Sequence, residues 1–84
     1  MYTVLITSQA EKDLNKLSRI ILKRVIPELL ALSDIPRPAG VTKLTGDQEA
    51  WRIRVGDYRA VYQIDDEAQT VTIVRVRHRR DVYR

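Results

Sequence analysis

The feature that most constrains this chain is a stretch of strict alternation. Trp51-Arg52-Ile53-Arg54-Val55 places Trp51, Ile53 and Val55 on one side and Arg52 and Arg54 on the other. Side chains on a β-strand point alternately to its two faces, so this period of two predicts a half-buried strand. Gly56-Asp57 follows, a two-residue hairpin signal of the type II′ kind. The next run, residues 58–64, repeats the pattern with Tyr58, Ala60, Tyr62 and Ile64 against Arg59, Val61 and Gln63. A hairpin with one apolar and one arginine-bearing face needs a cover on the apolar side.

The segments around the hairpin supply that cover and more sheet. Residues 2–7 form a short β-rich run, and Ser8-Gln9-Ala10-Glu11 reads as a capping box that starts a helix at Ser8. Ala10, Leu14 and Leu17 share one helical face, while Lys12, Asp13 and Lys16 are expected to point elsewhere. Ser18 is the expected cap of a second helix from about residue 19 to 32. Pro27 lies inside it, predicting a kink near residues 23–27 rather than a stop, because the apolar period continues past it. Residues 33–40 read as a loop, 41–44 as a brief extended piece and 45–47 as a turn. After a polar turn at 65–69, residues 70–77 form the last strand, with Val71 and Ile73 on one face and Val74 and Val76 on the other. A strand apolar on both faces belongs inside a sheet. The expected fold is α+β, in the order β-α-α-β-β-β, with a two-helix hairpin packed on one face of a four-stranded antiparallel-type sheet.

Composition limits the chemistry. Eighty-four residues make one domain, 1–84, and 44% apolar with 31% charged residues is globular rather than disordered. There is no cysteine and His78 is the single histidine, so neither a disulfide frame nor a zinc site is expected. Asp65-Asp66-Glu67 reads as a solvated turn; no metal and no cofactor is expected. The longest nearly apolar stretch, residues 20–32, is short and interrupted by charge, and the first residues lack a basic leader. No membrane association and a cytoplasmic address are therefore expected.

The net charge of +4 is unevenly placed. Residues 1–50 carry seven Lys or Arg against six acids, whereas residues 51–84 carry eight arginines, no lysine and five acids. Five of those arginines lie between Arg75 and Arg84, opposed by Asp81 alone. Guanidinium is suited to bidentate phosphate contact, and such contacts give affinity without base information. The open face of the hairpin, carrying Arg52, Arg54 and Arg59, and the C-terminal cluster together predict a cationic groove. If that groove does chemistry, the natural reaction is RNA transphosphorylation: the ribose 2′-OH attacks the adjacent phosphate while guanidinium groups stabilise the charge on phosphorus.

The hairpin from Trp51 to Tyr62, the Val/Ile-rich strand ending Arg77-His78-Arg79-Arg80-Asp81-Val82-Tyr83, the Lys43-Leu44-Thr45-Gly46 stretch, the helical hairpin and the Asp-x-Pro-Arg-Pro loop together resemble the RelE/ParE superfamily of bacterial and archaeal toxins. The resemblance covers essentially the whole chain. It implies an N-terminal strand beside the last one, an antitoxin whose helical segment wraps the toxin, and, for the RelE branch, cleavage of mRNA in the ribosomal A site. Carried over by position, Arg59 matches the phosphate-binding arginine. Arg79 matches the C-terminal catalytic arginine, a role a two-residue slip would hand to Arg77. Tyr83 matches the near-terminal tyrosine at the cleaved nucleotide. Arg52 and Arg54 stand where the branch often has lysines, and Arg77 where it often has glycine; with Arg80 they are the expected RNA contacts. Arginine is never a neutral base, so proton abstraction falls on His78 or Tyr83, or catalysis is mainly electrostatic. Tyr58, Tyr62 and Trp51 are expected in the core by strand parity. Two other readings use the same surface: a ParE-like toxin that inhibits gyrase without cutting RNA, and a nucleic-acid or partner-binding module with no activity.

Overall fold

The hairpin forms as the alternation requires. In the computed structural model, which describes residues 1–44, 46 and 50–82, β3 (Ala50–Val55) and β4 (Tyr58–Asp65) pair antiparallel, with Val55 opposite Tyr58 across the two-residue turn. Gly56 has φ +60, and Asp57 stays outside the positive-φ region, the sign pattern of a II′ turn. Buried Ile53, Ala60, Tyr62 and Ile64 define the inner face; Arg54 is exposed on the outer one.

β5 (Thr70–His78) pairs antiparallel with β4, and β1 (Thr3–Ile6) pairs parallel with β5. β2 (Thr42–Lys43) adds a two-residue edge beside β3, so the order is β1-β5-β4-β3-β2. The sheet is thus five-stranded and mixed, where the sequence pointed to four strands of antiparallel type. The two helices between β1 and the rest return the chain over one face, which is why β1 joins its neighbour in parallel. The extra strand arises because Lys43 and Thr42 come into register with Trp51 and Arg52. The α+β class, the order of the six expected elements and the place of the N-terminal strand beside the last one stand as expected, with β2 and a short C-terminal helix added. Part of the expected turn at 45–47 lies outside the described residues.

α1 (Ser8–Asn15) is capped by Thr7, whose hydroxyl accepts from the Ala10 N–H at 3.1 Å, rather than by Ser8. The sheet sets this. The Thr7 N–H donates to the Ile73 carbonyl and its hydroxyl to that of Val74, so the chain is still extended at Thr7, the conformation a cap needs. α2 (Arg19–Ala31) starts at Ser18 as expected and continues through Pro27. Val25 and Leu29, with Leu32 just past its end, are buried against the sheet; burying each contributes about 1.5–3 kcal/mol. Leu30 and Ile20 face outward, since seven apolar positions cover more of the helix than the sheet can. A four-residue helix, α3 (Arg79–Val82), follows β5.

A bulge in β5 decides which way its side chains point. Val61 opposes Arg75 and Tyr62 opposes Ile73, leaving Val74 as the extra residue. The bulge resets the alternation, so Val71, Ile73 and Val76 all face the core. Simple parity had put Val76 on the opposite side from Ile73. By the same reset, Arg75 and Arg77 join Val61 and Arg59 on the open face.

Candidate nucleic-acid interface

Strand register assembles a row of arginines. Arg54 stands opposite Arg59, and Arg59 opposite Arg77, so three neighbouring strands present guanidinium groups from adjacent positions of the open face. Neighbouring strands lie about 4.8 Å apart, so the three Cα atoms span about 10 Å. Arg52 follows on the same face of β3, opposite Val61, with Arg75 beyond. Like charges directly opposite one another destabilise a sheet. Here the turn offers partial relief: Arg54 Nε and Arg59 Nη1 both donate to the Gly56 carbonyl, at 3.3 and 3.1 Å, and Arg59 also donates to the Tyr58 carbonyl at 3.0 Å. These are neutral acceptors, so the guanidinium charge is left uncompensated by them.

Arg79 reaches the same turn from the end of β5. Its N–H donates to the Asp57 carbonyl at 2.7 Å, and its Nε lies 3.9 Å from the Asp57 carboxylate, with both side chains about two-thirds exposed. Of the two residues that match the C-terminal catalytic arginine, Arg77 belongs to the row itself and Arg79 flanks it. His78 lies on the other side of the strand. It pairs with Tyr58 on the helix-facing side, ring edge to ring face with centroids 5.4 Å apart, and its Nδ1 accepts from the Arg80 N–H at 3.3 Å. His78 and Arg80 border a cavity of about 480 Å³ whose walls also include Asp13, Lys16, Arg77 and Asp81. Tyr83 lies outside the described residues. The fold therefore brings Arg52, Arg54, Arg59 and Arg77 onto one face, with Arg79 beside them and His78 behind the strand.

Arg75 has a different occupation. Its Nε and Nη2 donate to the two oxygens of Asp13, at 2.9 and 3.1 Å, and the Val76 N–H donates to the same carboxylate at 2.9 Å. Asp13 is 8% exposed. Burial pushes its carboxyl up, but the Arg75 and Val76 hydrogen bonds and the charges of Arg75 and Arg77 outweigh this and hold it below the usual carboxylate range. Sequence reasoning pointed Asp13 away from the core. Its spacing held the signal, since it falls three residues after Ala10 and one before Leu14, on the buried face of α1.

At the opposite end of the sheet, Arg37 donates to both oxygens of Asp66, which also accepts from the Tyr2 hydroxyl at 2.6 Å. The Arg37 and Tyr2 bonds lower the Asp66 pKa. Arg37 also lies over the Trp51 ring, 5.2 Å from its centroid. The fully buried Tyr62 donates to the Pro36 carbonyl at 2.7 Å and so ties the 33–40 loop to the core. Burial raises the Tyr62 hydroxyl to about 12. Among the described residues, no three His, Cys, Asp or Glu side chains are placed to share a metal ion, and no helix is long and apolar enough to cross a membrane.

Comparison with known proteins places this geometry. Residues 4–83 match the family model of the ParE toxin of the type II toxin–antitoxin system parDE. Toxin RelG of Mycobacterium tuberculosis is 44% identical over 86 residues, spanning 99% of this chain and 97% of that protein. The fold is similar to that in the archaeal RelE–RelB complex of Pyrococcus horikoshii, with TM-score 0.82, 31% identity, and 93% and 94% of the two chains covered. It is similarly close to that in the toxin–antitoxin complex RelBE2 of M. tuberculosis, with TM-score 0.81, 39% identity, and 92% and 96% covered. With the predicted helical hairpin, the paired strands and the full-length match agreeing, the chain belongs to the RelE/ParE superfamily of type II toxin–antitoxin toxins.

Proposed function

We propose that this toxin is a ribosome-dependent endoribonuclease that cuts mRNA in the A site, and that it acts in the cytoplasm under the control of a cognate antitoxin. The observation that carries the reading is the arginine row: Arg54, Arg59 and Arg77 in register on one open face, with Arg52 and Arg79 at its margins. A phosphodiester laid across that row meets guanidinium donors from three strands. The 2′-oxygen then forms a bond to phosphorus, the bond from phosphorus to the 5′-oxygen breaks, and a 2′,3′-cyclic phosphate and a 5′-hydroxyl result. Negative charge grows on the non-bridging oxygens, where fixed cations stabilise it most; removing one such donor typically costs 10²–10³ in rate, of the order of ~3–4 kcal/mol. The reaction uses no metal. Arg59 is the central phosphate contact and Arg79 or Arg77 the second. Tyr83, by its match to the family position, takes the 2′-OH proton or stacks on the base. His78, on the helix-facing side with Nδ1 engaged by Arg80, is worse placed for that proton than its place in the sequence suggested. The antitoxin reading is supported by the similar RelE–RelB and RelBE2 complexes. An acidic or amphipathic segment laid on the groove would displace RNA from the arginines.

The test is to express the chain and map new 5′ ends on translated messages. Cuts within codons that vanish in Arg59→Ala and Tyr83→Phe support the reading. The matched family model bears the ParE name, so the competing outcome is specific: growth arrest with intact mRNA and trapped gyrase–DNA complexes would replace the nuclease with a gyrase inhibitor.

A further inference from the structure

The turn at Gly56 is approached from both sides of the sheet. On the open side, Arg54 and Arg59 donate to its carbonyl. On the helix side, Arg24 of α2 lies so close that a methyl group built on Gly56 would sit 3.3 Å from Arg24 Nη2 and 3.5 Å from its Cζ. Backbone dimensions then put the Arg24 guanidinium within about 10 Å of that of Arg59, across the thickness of one turn. Arg24 is exposed, and among the described residues it makes no hydrogen bond or ion pair. It borders a cleft of about 210 Å³ between α2 and the hairpin, together with Asp57, Tyr58 and His78. Asp57 is the one acid on the turn, and its carboxylate is shared at 3.9 Å with Arg79. Four guanidinium groups therefore surround one hairpin that carries one carboxylate. Such a concentration repels itself and is relieved by an added anion.

We propose that the helix-facing side of this turn is a second phosphate subsite for single-stranded RNA. Arg24 is its anion contact, and the Tyr58–His78 pair forms its wall. One strand crosses the Gly56-Asp57 turn, holding one phosphate on the open arginine row and the next on Arg24. The inference rests on the nuclease reading for its ligand, and it gives His78 a place at bound RNA that does not require it to be the base. Glycine at position 56 follows from its positive φ, and its missing side chain leaves the Arg24 guanidinium close to the turn.

The experiment measures binding of a fluorescent 2′-O-methyl oligoribonucleotide across a salt series. That probe cannot be cut by 2′-OH attack, so binding is read apart from activity. Arg24→Ala is expected to bind about fourfold more weakly at physiological salt and to lower the slope of log K against log salt by about 0.7, the share of one phosphate contact on a single strand. Arg24→Lys keeps the slope. Lys23→Ala removes the same charge from the neighbouring exposed position and is expected to leave the slope unchanged. An Arg24→Ala slope equal to the parent's, a Lys23→Ala effect as large as that of Arg24→Ala, or a parent chain that does not bind the probe would each overturn the subsite. So would an Arg24 effect confined to an acidic peptide, which would make the cleft a protein contact. Arg24-dependent binding with messages left intact would keep the subsite and remove the nuclease. Cut messages with Arg24-independent binding would do the reverse.

Discussion

The two ends of the sheet use the same side chain for opposite purposes. At the β2–β3 end, Arg37 is matched: both Asp66 oxygens accept from it, and Trp51 lies beneath it. Asp13 likewise takes both donors of Arg75 on the β5 edge. At the β3–β4 turn, Arg54 and Arg59 meet carbonyl oxygens, Arg24 meets no partner among the described residues, and Arg79 has a carboxylate at the limit of contact. An arginine with a carboxylate holds the fold together, whereas one aimed at a neutral carbonyl keeps its charge for something outside. Arginine content alone would not separate the two groups; their acids do.

The sharpest way to break this comparison is to disable one member of each class, an arginine at the turn and the acid that holds Arg75. Arg59→Ala is expected to lower mRNA cleavage at least 100-fold while its thermal unfolding stays near the parent's, because the lost contacts are partly exposed. Asp13→Asn should do the reverse: stability in urea falls by about 2–4 kcal/mol as the buried acceptor of Arg75 and Val76 loses its charge, with cleavage per folded molecule retained. If Asp13→Asn abolishes cleavage in a folded protein, the division into holding and binding arginines fails.

Acid titration sharpens the same contrast. The Asp13 pKa is lowered in the folded chain, so its contribution is complete above the ordinary carboxylate range and is lost as pH falls through the depressed folded value. Stability measured from pH 6 downward is expected to drop below about pH 4 in the parent and less steeply in Asp13→Asn. The alkaline side belongs to Tyr62. Its hydroxyl is raised to about 12, so its share of stability is present below about pH 10 and is lost as pH climbs toward 12. Tyr62→Phe removes the bond to Pro36 and is expected to cost about 1 kcal/mol at neutral pH, with part of the alkaline loss gone. The smallest effect falls on Arg37→Gln: a slight loss of thermal stability, since the Asp66 pair is solvent-exposed, and unchanged cleavage. Cleavage that falls with Arg37 would move this end of the sheet into the binding surface.

Period and turn chemistry were enough to find the hairpin, because Trp51, Ile53 and Val55 alternate with arginines and Gly56-Asp57 permits one short turn. The second helix was legible from Ser18, and the inner faces of β3 and β4 from parity. The last strand was only half legible. Its bulge leaves no mark in composition, so Val76 was assigned to the wrong side. The cap at Thr7 escaped for a related reason, since it depends on hydrogen bonds to Ile73 and Val74, more than sixty residues away. Arg24 had no local signal at all, being one charge among several on an amphipathic helix.

The chain by itself determined its elements, its order and the kind of charge it carries, because hydrophobic period, capping and turn residues act over a few positions. That Arg75 and Arg77 join the hairpin's arginines on one face was decided only in the folded molecule. Register across three strands and one inserted residue in β5 set Arg54, Arg59 and Arg77 in line, and the packing of α2 brought Arg24 to the same turn. Pairing register and helix docking depend on contacts between residues far apart in sequence, and those exist only once the sheet has closed.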